Sequence, residues 1–140
     1  MNPKTTVVKK PVTTRKWHLI DLSGQNLGRI STKIAQILMG KHNPLFSYHR
    51  DDGDYVVAIN ASQITVTGKK LDDKIYYHYT GYAGNLREIS LKAMMAKDPC
   101  KVINHAVAGM LPKNRLRDKR LSRLKIFAGS EHPYATKISS

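Results

Sequence analysis

Three carboxylates stand close together in the chain, at Asp51, Asp52 and Asp54. Acidic residues so grouped are what a divalent ion or an acid–base pair requires. The same residue types also build turns, and DDGD (51–54) leads directly into the apolar run YVVAIN (55–60), so a turn before a strand is the preferred use. His18, His42, His49, His78, His105 and His132 are scattered without HExxH or a comparable ligand spacing. No metal site is expected from them. His105 lies beside an apolar stripe and is expected as a packed or capping residue. Ser122 and Lys125 match a bare S-x-x-K pattern, but no other part of that nucleophile machinery accompanies them. No catalytic set emerges.

Two glycine-containing turns are candidates for holding a phosphate. GQNLGR (24–29) lies between an expected strand and an expected helix, where a phosphate would meet a helix N-terminus. It lacks the third glycine of a dinucleotide fingerprint and the Lys-Ser/Thr ending of a P-loop. TGKK (67–70) carries Lys70 where a P-loop needs Ser or Thr. A tight turn is the preferred reading of both. Cys100 is alone, which excludes an internal disulfide and any two-cysteine zinc motif. It is expected as a small buried or half-buried thiol, a use that fits a reducing compartment.

The basic residues carry the strongest signal. The chain has 140 residues and a net charge of +14. Residues 1–16 and 111–140 together carry +11, whereas the central 94 residues carry only +3. A nearly balanced body with cationic ends is suited to a polyanion. No apolar stretch approaches the roughly 18–20 residues that span a bilayer, and the ends lack the apolar face of a membrane-surface helix, so nucleic acid is favoured over membrane. Between Lys113 and Arg123 six basic residues accompany a single acidic one. Lysine and arginine neutralise phosphates and release counterions, and arginine also grips two phosphate oxygens or stacks on a base. The expected main contacts are Lys113, Arg115, Arg117, Lys119, Arg120 and Arg123. Lys41, Lys69, Lys70, Arg15 and Lys16 follow, because they lie in loops or in the N-terminal arm. Lys97 and Lys101 are read as part of a solvated face.

Positioning these groups falls to an alternation of strands and helices. WHLIDL (17–22) reads as a strand, and Leu27, Ile30, Ile34, Ile37 and Leu38 mark one face of a helix closing at Gly40. YVVAIN suits a strand buried on both faces. ITVT (64–67), KIYYHY (74–79) and LKIFAG (124–129) are further strand candidates, with GKKLDD as a hairpin or loop. LREISLKAMMAK (86–97) is helical in pattern. Val102, Ile103, Ala106, Val107, Met110 and Leu111 form the stripe of another helix, which Pro112 stops. The apolar stripe thus fixes a helix in the body, and Pro112 launches a cationic segment from it. The expected fold is a single α/β domain with a mostly parallel central sheet, the middle strands being candidates for an antiparallel extension of it. MNPKTTVVKKPVTTRK (1–16) has no apolar signal-peptide core and reads as a basic arm.

In family order, the chain presents Trp17 and Asp21, LGR (27–29), GK (40–41), DxGDYVV (51–57), NA (60–61), TGKK, KIYYH (74–78) with TG (80–81), AVAGMLPKN (106–114), LKIFAG and HP (132–133). Over nearly its whole length it resembles the bacterial-type large-subunit ribosomal protein L13 family. The resemblance implies a three-layer α/β/α domain that binds 23S rRNA in the large (50S) subunit, lies beside neighbouring ribosomal proteins and acts early in assembly. It implies no catalysis, no cofactor and no small-molecule substrate, in a cytoplasmic ribosome. An organellar ribosome and a second role on messenger RNA stay open. The implied organisation is a basic arm (1–16), the α/β domain (17–129, with the basic segment 112–123) and a C-terminal tail (130–140). Arg117-Asp118 stands where the family usually has Gly-Arg, and the ending HPYATKISS is shorter than the common form. Two other classes remain in view: a small nucleotide-binding enzyme using the Gly24–Arg29 turn, and a DNA-binding regulator built on the helical segments around Pro112.

Overall fold

The structure, a computed structural model, describes residues 14–138. Most of the expected basic arm and the last two residues of the tail lie outside the described residues. The fold begins with β1 (Trp17–Asp21), followed by a turn and helix α1 (Leu27–Met39). Asn26 caps α1, its side-chain oxygen accepting from the Gly28 N–H at 3.0 Å. The helix closes in a Schellman arrangement: the N–H groups of Gly40 and Lys41 donate to the carbonyls of Ile37 and Gln36, with Gly40 at φ 80°. β2 (Tyr55–Ile59) and a single 3₁₀ turn come next, then α2 (Lys70–Asp73), β3 (Ile75–Tyr79) and β4 (Leu86–Ser90). The chain continues through α3 (Leu91–Lys97), α4 (Pro99–Met110), α5 (Leu116–Ser122), β5 (Leu124–Ile126) and α6 (Ala135–Ile138).

The central sheet is parallel, in the order β1-β2-β5. Val56, Val57 and Ala58 of its middle strand are all fully buried, which explains the unbroken apolar run: a parallel strand covered on both faces has no solvent side. On one face Ile20, Val56, Ala58 and Leu124 join the buried faces of α1 and α4, including Ile30, Ile34, Leu38, Val102, Ile103 and Val107. On the other, Trp17 stacks on Tyr55 with ring centroids 4.3 Å apart, and Tyr134 covers Trp17 at 5.2 Å. Lys137 of α6 places its ammonium 5.2 Å above the Trp17 ring. Helices α1 and α4, the sheet and the C-terminal segment are the three layers of an α/β/α domain. Within the expected tail, Tyr134 and Lys137 thus pack against Trp17 of the body.

Five local expectations are corrected. Residues 86–97 are not one helix: Leu86–Ser90 pair antiparallel with β3, and a helix starts only where Ser90 accepts from the Ala93 N–H. Leu86 and Ile89 imitate helical spacing, yet both are exposed, so their spacing reports no buried face. ITVT forms no strand, only an isolated bridge from Thr65 to Asn26. The β3–β4 ribbon is a separate two-stranded sheet and not an extension of the central one. GKKLDD contains the short helix α2. Met110, expected in the buried stripe of α4, is 39% exposed, while Leu111 behind it is buried.

Candidate nucleic-acid interface

The basic segment divides into two kinds of cation. Helix α5 starts where Asn114 Oδ1 accepts from the Leu116 N–H at 3.1 Å, and Asp118 sits in its first turn, favourable for the helix dipole. This helical turn is where Arg117-Asp118 replaces the family's usual Gly-Arg. Arg120 and Arg123 point inward and are only 1% and 3% exposed. Arg123 donates from Nη1 and Nη2 to the two oxygens of Asp51 at 2.7 and 2.6 Å, and from Nη2 to the Leu38 carbonyl at 3.2 Å. Arg120 donates to the Arg50 carbonyl at 3.0 Å and holds its Nε 3.8 Å from Asp51. Arg15 adds bonds to the Asp51 carbonyl and carboxylate at 3.0 and 3.4 Å.

These contacts place two of the expected phosphate contacts inside the fold. A phosphate cannot reach a guanidinium that is wrapped by protein and already paired, so Arg120 and Arg123 anchor the segment from inside. Burial raises the Asp51 carboxyl, but the Arg123 hydrogen bonds and the charges of Arg123, Arg15 and Arg120 outweigh it and hold the group below its ordinary value. Burial lowers the Arg120 guanidinium, against the pull of Asp51. Gly53 makes the arrangement possible. A Cβ at that position would lie 1.7 Å from the Leu38 carbonyl oxygen and 3.1 Å from Arg123 Nη2, so only glycine lets the acidic turn dock on the end of α1.

The other cations face outward. Lys113, Arg115 and Lys119 are exposed, as are Lys16, Lys41, Lys69 and Lys70. Arg117 is half-buried, and its Nε has no hydrogen-bond partner among the described residues. It lines a groove of about 390 Å³ together with Lys101, Asn104 and His105 of α4. Lys101, read from the sequence as a solvated charge, therefore shares a concave surface with Arg117. Its position one helical turn from Asn104 was legible, but its nearness to α5 was not.

The two phosphate-loop candidates also meet. Asn26, Gly28 and Lys70 line one cavity of about 560 Å³, closed by Leu91, His105 and Met110. Three of the α1 donors are already bonded, however: Leu27 N–H to the Thr65 carbonyl, Gly28 N–H to Asn26 Oδ1 and Ile30 N–H to the Asn26 carbonyl. An incoming phosphate would have to displace the cap. The acidic turn is likewise committed, since Asp52 receives Arg50 Nε and Nη2 at 3.1 Å each and Asp54 receives His18 and His42. That last grouping joins residues that the sequence leaves scattered.

Fold and surface together define a basic α/β protein of the nucleic-acid-binding class. Residues 15–133 match the family model described as Ribosomal protein L13. The large ribosomal subunit protein uL13 of Clostridioides difficile (strain 630) is 52% identical over 132 residues, covering 94% of this chain and 92% of that protein. The protein of the same name from Thermotoga petrophila is 50% identical over 131 residues, covering 94% and 88%. That of Vesicomyosocius okutanii is 51% identical over 131 residues, covering 94% and 92%. The chain belongs to the ribosomal protein L13 family.

Proposed function

We propose that this chain is a structural, non-catalytic constituent of the large (50S) ribosomal subunit. It binds 23S rRNA through lysine and arginine contacts to phosphate and supports early subunit assembly beside neighbouring ribosomal proteins in the cytoplasm. Family membership supports this reading. The observation that carries the mode of binding is the split of the basic segment into buried arginines and exposed cations. Lys113, Arg115, Arg117 and Lys119 are the proposed main contacts, with Lys101 added beside Arg117. Lys41, Lys69, Lys70 and Lys16 are secondary contacts, and Arg15, Arg120 and Arg123 set the position of the surface.

Binding to large-subunit rRNA fragments, measured against salt, tests the reading. If about 6–10 phosphates are contacted, raising salt from about 50 to about 200 mM weakens binding by roughly a thousandfold or more. Competition with duplex DNA separates this function from DNA regulation, and equal or tighter DNA binding would overturn it. Calorimetry with ATP, GTP and NAD examines the enzyme alternative, for which the occupied α1 donors offer no support. Messenger RNA is a further competitor in the same assay, with preference for rRNA expected.

A further inference from the structure

We propose that His18, His42 and Asp54 form a binding site for a divalent transition-metal ion of the zinc class, with three protein ligands and a fourth position open to water. The inference goes beyond the ribosomal reading and does not depend on it. The three residues come from β1, from the segment just past the Gly40 cap of α1, and from the position before β2. His18 Nε2 lies 2.9 Å and His42 Nε2 3.0 Å from the same carboxylate oxygen, Asp54 Oδ2. One ligand atom from each residue lies within 4.8 Å of the others.

The carboxylate is held ready from behind. Asp54 Oδ1 accepts from the Lys16 N–H at 3.1 Å, and the Asp54 N–H donates to the Ile37 carbonyl at 3.3 Å. Its side chain is 7% exposed, which leaves Oδ2 directed at the imidazoles. Zinc–ligand distances of about 2.0–2.2 Å place tetrahedral donors roughly 3.3–3.5 Å apart. The two Nε2 atoms reach that spacing by retreating from Oδ2 by about half an ångström. Both rings have room for it, with side-chain exposures of 34% and 45%.

Donor chemistry selects the ion. Two imidazoles and one carboxylate suit Zn²⁺, Co²⁺ or Ni²⁺, whereas Mg²⁺ and Ca²⁺ prefer sets made of oxygen. The group opens on a cavity of about 360 Å³ that Thr14, Lys16, Asn43 and Asp52 also line, with space for a water at the fourth position. Asp52 is held by Arg50 and so does not join the ligand set. In the absence of an ion, the two rings can each donate to Oδ2, which is the competing, purely structural use of the same residues.

Calorimetric titration of the tag-free, chelator-stripped chain with Zn²⁺ decides between them. One equivalent is expected to bind, more weakly at lower pH because protons compete for the ligands. His42→Ala and Asp54→Asn are each expected to weaken binding about a hundredfold, and exposed His49→Ala to leave it unchanged. With Co²⁺ in place of Zn²⁺, the visible absorption of a four-coordinate site should appear and be lost in His42→Ala. Should Asp54→Asn fail to fold by circular dichroism, His18→Gln replaces it and must show the same loss. Absence of saturable binding, or binding equally tight in the ligand variants, overturns the proposal. Affinity for rRNA, measured on the same chain with and without chelator, is read separately, so failure of either reading is distinguishable.

Discussion

Arg123 closes both terminal nitrogens of its guanidinium on the carboxylate of Asp51, across 72 positions of sequence. The pair joins the turn before β2 to the residue before β5, and those two strands are neighbours in the sheet. It also brings Arg123 Nη2 onto the Leu38 carbonyl near the end of α1. One ion pair therefore ties together a helix terminus, an acidic turn and the base of the cationic helix α5.

Replacing Asp51 with asparagine should leave Arg123 and Arg120 buried with little to neutralise them. Removing one partner of a buried pair costs about 3–5 kcal/mol. Asp51 is partly exposed, so a loss near the lower end, about 3 kcal/mol, is expected in urea denaturation. A midpoint equal to the parent's would show that the pair contributes nothing.

Acid should act through the same contact. A carboxyl held below its free value contributes stability that is present above the unfolded pKa and disappears as pH falls through the folded one. For Asp51 this places the loss below about pH 4, where the carboxylate takes up its proton. Melting temperatures of the parent and Asp51→Asn should be well separated near neutrality and converge in acid. A separation that is constant down to the acid limit would exclude the pair as its source.

Gly53→Ala should be severely destabilising although it adds one methyl group. The added Cβ meets the Leu38 backbone at 1.7 Å, a contact that no side-chain rotation relieves. The turn must move away from α1, at a cost of about 3 kcal/mol. Gly24→Ala is the useful contrast: none of the described residues lies within 4 Å of its Cβ, and its penalty is a positive φ of 65°, about 1 kcal/mol. Equal effects of the two substitutions would remove the steric explanation.

Surface and buried cations should separate cleanly in RNA binding. The triple change of Lys113, Arg115 and Lys119 to alanine is expected to flatten the logarithmic salt dependence by about two to three units while leaving the melting temperature nearly unchanged. Arg123→Ala is expected to lower the melting temperature instead. If the triple variant keeps the parent's slope, α5 and its approach do not touch phosphate.

Local pattern determined much of this protein. The face of α1, the doubly buried β2, the Gly40 terminus, the stop at Pro112 and the charge of the basic segment are all consequences of neighbouring residues, and each was legible as such. β4 was not, because an exposed ribbon strand has no buried face to betray its period and gains its hydrogen bonds from a partner elsewhere in the chain. The direction of each cation was illegible for a similar reason. Arg120 and Lys119 are adjacent and alike in charge, yet one is buried and the other solvated, because Asp51 waits on only one side of α5. His18 and Asp54 are likewise brought within hydrogen-bonding distance only by the parallel pairing of β1 with β2, and His42 joins them because the Asp54 N–H docks on the Ile37 carbonyl near the end of α1. Residue types set which contacts were chemically available; packing of distant segments decided which of them formed.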